Sequence, residues 1–168
     1  MFVIESFIDE LAAAAKQDPV EYRRALLRKS PRAQRVLDVA TKAAGWGKPL
    51  PEGWGRGVSV LYSGWDSYLS EVAEVEVSKA GEIRVHRIVC AVDCGTVVNP
   101  DTVKAQMEEG IIFGISGALW GEVTIEKGRV QFHELLVRER RGRAPVAACG
   151  SRLDAQSSGR FIFLSSAI

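Results

Sequence analysis

The sequence predicts an α+β fold: N-terminal helices followed by a mixed or antiparallel sheet with a packed helix. Three observations predict it. Apolar residues before Gly45 recur at helical spacing, from Gly55 onward the apolar period changes to two, and Val103 to Leu119 returns to the length and pattern of a helix. These changes divide the 168 residues into a helical segment over 1–50, a β-rich segment with one helix over 51–131, and an Arg/Ala/Gly/Ser-rich tail over 132–168.

In the first segment Ile4, Phe7, Ile8, Leu11 and Ala12 form one apolar stripe, while Glu5, Asp9, Glu10 and Lys16 are expected to face water. Asp18-Pro19 reads as an N-cap with proline in the first helical position, opening a short helix through Val20, Tyr22, Leu26 and Leu27. Ser30-Pro31 repeats the signal, and the helix it opens carries Val36, Leu37, Ala40 and Ala44 inward until Gly45 stops it. Val58, Val60 and Tyr62 then alternate, as do the residues from Val72 to Val77 and the set Ile83, Val85 and Val89, the last interrupted by Arg87. A turn at Lys79–Glu82 makes this a meander. The run Ile88 to Val92 is almost wholly apolar, as a strand covered on both faces would be, and it ends at Asp93-Cys94-Gly95. Asn99-Pro100-Asp101-Thr102 supplies the cap of the next helix, and Glu122 to Gln131 reads as a hairpin turning at Lys127-Gly128.

Composition excludes several classes. The net charge is +1, from 22 Lys and Arg against 21 Asp and Glu, which argues against a dedicated nucleic-acid binder. That balance hides a split, because Arg138 to Arg160 holds six Arg against two acids with neither helical nor strand period, the pattern of a loop or solvated tail. No apolar run reaches the roughly 18 to 20 residues of a membrane span. The start MFVIESFIDELA has Glu and Asp where a signal peptide needs basic residues, so the chain reads as soluble and without an export signal of its own; the compartment stays open.

Residue patterns narrow the chemistry further. Cys90 and Cys94 stand four apart without a second ligand pair, so buried thiols are expected and no metal site. His86 and His133 are the two histidines and no Gly-x-Ser-x-Gly elbow accompanies them. Gly110, Gly114 and Gly117 fall inside a helix and do not follow a strand, which points to close helix packing rather than a dinucleotide loop. Trp46, Trp54, Trp65 and Trp120 read as core or interface anchors. What remains is the segment AVDCGTVVNPDTVKAQMEEGIIFGISGALWGEV, in which a buried strand gives way to a capped helix that presents, just beyond its first turn, the amide of Gln106. An amide both donates and accepts, which suits a heteroatom-rich cofactor edge as well as it suits a surface position.

The blocks from Glu5-Ser6-Phe7-Ile8-Asp9-Glu10-Leu11-Ala12 to Asp18-Pro19, then GWGKPLP, GRGVSV, SYLSEVAEVEV, VHRIVCAVDCGTVVNPDTVKAQMEEGIIFGIS and GALWGEVTIEKGRVQ, resemble in order the molybdenum-cofactor-binding large subunits of the xanthine dehydrogenase and aldehyde oxidase family. The nearest branch is the isoquinoline 1-oxidoreductase β-subunit type. The resemblance implies a fragment of a larger molybdopterin-binding subunit. Such enzymes oxidise or hydroxylate an aldehyde or N-heterocycle with oxygen from water, and their electrons pass to an iron–sulfur subunit. It also implies that Gln106, in Ala105-Gln106-Met107-Glu108, is the glutamine that hydrogen-bonds the molybdenum-pterin cofactor at its metal end.

Departures from the family pattern set further expectations. The Gly-Gly-Phe-Gly cofactor segment is absent, and the base glutamate of the family's Gly-Glu-Pro motif has no counterpart, since Gly121-Glu122-Val123 lacks the proline. No catalytic residue is therefore assigned, and the chain alone is expected to be inactive. Phe132-His133-Glu134 is a trace of the family's continuation before the tail replaces it, as a shifted reading frame or a truncated open reading frame would. The partners implied are the remainder of the large subunit and the iron–sulfur subunit. The competing reading is a non-catalytic interaction module that keeps the α+β body and binds a partner through its N-terminal helix or basic tail.

Overall fold

A computed structural model describes residues 2–131 apart from Glu122, with side chains to Val130, and the backbone of two further strands, 150–155 and 161–167. Three helices come first: α1 (Phe2–Ala14), α2 (Pro19–Leu26) and α3 (Pro31–Ala44). The caps explain their limits. Asp18 accepts from the N–H groups of Val20 at 2.8 Å and Glu21 at 3.1 Å, satisfying donors that the first turn of α2 leaves unpaired. Ser30 occupies the N-cap of α3 without a side-chain bond, so there the fixed φ of Pro31 carries the start. Gly45, at φ +68°, closes α3 in the left-handed conformation that glycine adopts without strain.

The meander follows as β1 (Trp54–Tyr62), β2 (Tyr68–Val77) and β3 (Ile83–Asp93), all antiparallel. After it come α4 (Pro100–Trp120) and the hairpin β4 (Thr124–Glu126) and β5 (Arg129–Gln131), which turns at Lys127 and Gly128, both at positive φ. The strands β6 (Gly150–Ala155) and β7 (Phe161–Ala167) pair with each other, and β7 lies antiparallel to β3, giving the sheet order β1-β2-β3-β7-β6. A strand at 150–155 differs from the loop or tail expected between Arg138 and Arg160. Backbone pairing to an existing sheet edge needs no apolar period of its own, so composition gave no sign of it. Residues 132–149 and 156–160, including the Arg-rich run and Phe132-His133-Glu134, lie outside the described residues.

The sheet carries a helix on each face. On one side Val36, Leu37, Ala40 and Ala44 of α3, with Val20 of α2, pack against Val58, Val72, Val89 and Ala91. On the other, Met107, Ile111 and Ile115 of α4 meet Ile88, Cys90, Ala73 and Val85. Residues 88 to 92 are thus buried on both faces, as their composition predicts, and they form no exposed patch. The alternation expected of Ile83, Val85 and Val89 does not persist. Glu74 pairs with Arg87 and Val75 with Val85, so β3 holds one extra residue, His86, and this bulge sends Val85 to the α4 side and Val89 to the α3 side.

Arg23 explains how α1 is attached. It is 2% exposed, and its guanidinium donates to Glu5 Oε2 (3.1 Å), Asp9 Oδ1 (2.5 Å), the Glu5 carbonyl (3.0 Å) and the Pro19 carbonyl (3.3 Å). Glu5 Oε2 in turn accepts the N–H of Val60 at 3.0 Å, tying α1 to the edge strand β1. This reverses the expected orientation of α1: Glu5 and Asp9, expected in water, face Arg23, while Ile4, Phe7 and Leu11 of the expected inward stripe are exposed with Phe2 and Val3, and Ala12 is the member of that stripe that is buried.

Candidate cofactor-binding site

Gln106 sits on α4, and the local sequence accounts for its place. Asn99 Oδ1 accepts from the N–H groups of Asp101 (3.0 Å) and Thr102 (3.3 Å), and Pro100 occupies the first helical position, so the helix starts where its cap dictates. Met107, Ile111 and Ile115, at i, i+4 and i+8, take the sheet-facing side. Gln106 is left outside. Its side chain is exposed and its amide has no hydrogen-bond partner among the described residues.

The same outer side of α4 carries Gly110, Gly114 and Gly117. All three are exposed, and a Cβ built on any of them would meet nothing within 4 Å. Close helix packing, the expectation for these glycines, is therefore not seen among the described residues. They leave bare backbone, open to close approach, along a helix face that begins at Gln106. Phe113, at 80% exposure, and Trp120 flank it with apolar surface. From Gly110 to Trp120 the helix carries no charged residue on any side, as helices enclosed in larger structures do. Beside Gln106 the carboxylate of Glu108 has one buried oxygen without a hydrogen bond, with Lys104 Nζ 3.9 Å away.

Other sequence candidates find structural roles. His86 stacks on Trp54 with ring centroids 3.8 Å apart, and its Nε2 lies 2.8 Å from Glu76 Oε2. Trp46 donates to Asp18 Oδ2 at 2.9 Å, while Trp65 is 90% exposed in the β1–β2 turn. Cys90 is buried in β3 and Cys94 lies just past its end. Burial pushes the Cys94 thiol up from its usual range, and the neighbouring Asp93 carboxylate adds to this. Among the described residues no three His, Cys, Asp or Glu side chains gather as a metal site. Glu122 and His133 lie outside them.

Two features escaped the sequence reading. Glu71 of β2 pairs in register with Cys90; burial raises its carboxyl above the ordinary range, and a hydrogen bond with the Cys90 side chain opposes that rise only in part. A hollow of about 270 Å³ opens between α1, α2 and the end of β1, lined by Ile8, Leu26, Leu27, Val60, Tyr62 and Tyr68 above Glu5 and Arg23. It is on the α3 side of the sheet, away from Gln106, and its charged groups, Glu5 and Arg23, bond to each other.

Residues 11–136 match the family described as the molybdopterin cofactor-binding domain. The chain is 37% identical over 139 residues to the beta chain of isoquinoline 1-oxidoreductase from Brevundimonas diminuta, an alignment covering 79% of this chain and 18% of that protein. It is 33% identical over 150 residues to a nicotinate dehydrogenase subunit of Pseudomonas putida, covering 79% and 13%. It is 31% identical over 144 residues to a protein of Gluconacetobacter polyoxogenes named membrane-bound aldehyde dehydrogenase (pyrroloquinoline-quinone), covering 74% and 19%. No solved structure matches significantly. The chain belongs to the molybdopterin cofactor-binding domain family, within the xanthine dehydrogenase-type oxidoreductase subunits. It spans less than a fifth of the length of these curated relatives. Among the described residues no helix is long and apolar enough to cross a membrane.

Proposed function

We propose that this chain forms the part of a molybdenum hydroxylase large subunit that presents Gln106 to the molybdenum-pterin cofactor. The observation that carries the reading is the position of Gln106: an exposed amide without a partner among the described residues, on a helix fixed by its own cap, beside three glycines that leave room against the backbone. These residues fit the group. Gln106 can donate to and accept from the polar edge of the ligand, while Gly110, Gly114 and Gly117 admit close approach.

When bound, the cofactor supplies the redox chemistry, oxidation or hydroxylation of an aldehyde or N-heterocycle with water as oxygen source. The relatives named for isoquinoline and nicotinate oxidation support the heterocycle, and the one named an aldehyde dehydrogenase supports the aldehyde. This chain contributes orientation. Gln106 fixes the ligand's angle, α4 holds Gln106 against the sheet, and the apolar flank of Phe113 and Trp120 excludes water. An iron–sulfur subunit would receive the electrons, and the remainder of the large subunit would supply the general base.

Two measurements test the reading. Molybdenum and pterin analysis of the purified chain should find the cofactor above background, and an aldehyde assay with an artificial electron acceptor should find no turnover, since a positioned general base alone contributes about 10² to 10⁴-fold. Purified protein free of pterin, from cells that make the cofactor, would favour the interaction module instead.

A further inference from the structure

The chain reaches α4 from β3 through residues 94–99, and the side chains that fix this departure lie on the opposite face of the sheet. Asp93, the last residue of β3, is 3% exposed. Both its carboxylate oxygens are held by Arg32 of α3, with Nε 3.0 Å from Oδ2 and a terminal nitrogen 2.8 Å from Oδ1. Oδ1 also accepts the N–H of Gly95 at 3.2 Å, and Gly95 takes φ +77°, the left-handed conformation through which the chain turns off the strand. The same guanidinium reaches Asp66 in the β1–β2 turn, at 2.6 Å to Oδ1 and 2.9 Å to the carbonyl, and lies 4.6 Å from the centre of the Tyr68 ring. One side chain thus joins α3, the β1–β2 turn and the end of β3.

We infer that Arg32 is a positioning residue for the cofactor helix: by gripping Asp93, and through it the Gly95 N–H, it sets the direction in which the chain leaves β3 and so where α4 presents Gln106. The inference rests on the reading of Gln106 as the cofactor contact. A planar fork is what the role requires, because holding both carboxylate oxygens stops the Asp93 side chain from rotating, whereas a point charge would hold one. Burial makes the grip selective. With Asp93 shielded from water, losing the guanidinium removes the opposite charge that holds both its oxygens, and the turn can then shift.

The test is hydrogen exchange on the cofactor-free chain, comparing wild type with Arg32→Gln and Arg32→Lys, together with pterin retention for these and for Gln106→Ala. In Arg32→Gln the Gly95 amide and those of the first turns of α4 should exchange at least about tenfold faster, the change expected from losing a hydrogen bond to a charged group. Amides at the centre of β2 should hold their rates, and pterin retention should fall. Arg32→Lys keeps the charge without the fork and should sit between the two. If Arg32→Gln does not fold, Arg32→Lys reads the same amides within an intact sheet. Unchanged exchange at Gly95 and α4 would overturn the inference, as would an equal rise throughout β1, β2 and β3, which would make Arg32 a general support of the fold. Full pterin retention by Gln106→Ala would instead refute the reading of Gln106, whatever the exchange rates show.

Discussion

Single residues decide how this fold is joined, and the decisive ones are buried charges. Arg23 donates to two carboxylates and two carbonyls. Replacing it with Met would leave the Glu5 carboxylate, 15% exposed, with the Val60 N–H but without its cation, so Arg23→Met should destabilise the chain by about 3 kcal/mol, measured by urea unfolding. Glu71 makes the opposite case. Burial raises its carboxyl in the folded state, so folding favours the protonated form; that contribution is complete below the unfolded value near 4.5 and is lost as pH rises through the higher folded value. Glu71→Gln should therefore match wild type in stability at pH 4 and exceed it at pH 7, and a gap that does not widen with pH would contradict the assignment. Neither residue was legible in the sequence. Arg23 meets Glu5 eighteen positions away and Arg32 meets Asp93 sixty-one away, and no local pattern marks such pairs. The exposed amide of Gln106 was legible, because the cap before it and the apolar stripe beside it fix its side of the helix.

At the scale of elements the sequence carried more. Asp18-Pro19, Ser30-Pro31 and Asn99-Pro100 each open a helix where their chemistry demands, since cap and proline act within one turn. The meander was legible for the same reason. The bulge at His86 was not, because an inserted residue is visible only when the partner strand is aligned; Arg87 at an apolar position was its trace. Asn99→Ala removes two hydrogen bonds to the first turn of α4 and should cost about 1 kcal/mol in thermal or urea unfolding. The end of α4 is as strict. A Cβ at Gly121 would stand 2.4 Å from the Gly117 carbonyl oxygen, so Gly121→Ala should displace the β4–β5 hairpin and lower stability.

The whole molecule leaves much apolar surface in water. The α1 stripe and, on the other side of the sheet, Ile112, Phe113 and Trp120 with the hairpin residues Val123, Ile125 and Val130 are all exposed. Apolar patches of this extent favour association. The relatives are more than five times longer than the aligned region, so the remainder of a large subunit has the size to cover them. The isolated chain should bind a hydrophobic dye and associate as its concentration rises, and Phe7→Glu with Phe113→Glu should reduce both; a dye-silent monomer at high concentration would contradict this. The central claim concerns the outer side of α4, where Gln106 stands in line with the exposed Gly110, Gly114 and Gly117. Its most direct test is pterin and molybdenum content after purification from cofactor-producing cells, compared among wild type, Gln106→Ala and Glu109→Ala, the last a neighbouring exposed residue of the same helix. The account predicts cofactor in wild type and Glu109→Ala and loss of most of it in Gln106→Ala at unchanged helix content. Equal retention in all three would contradict it.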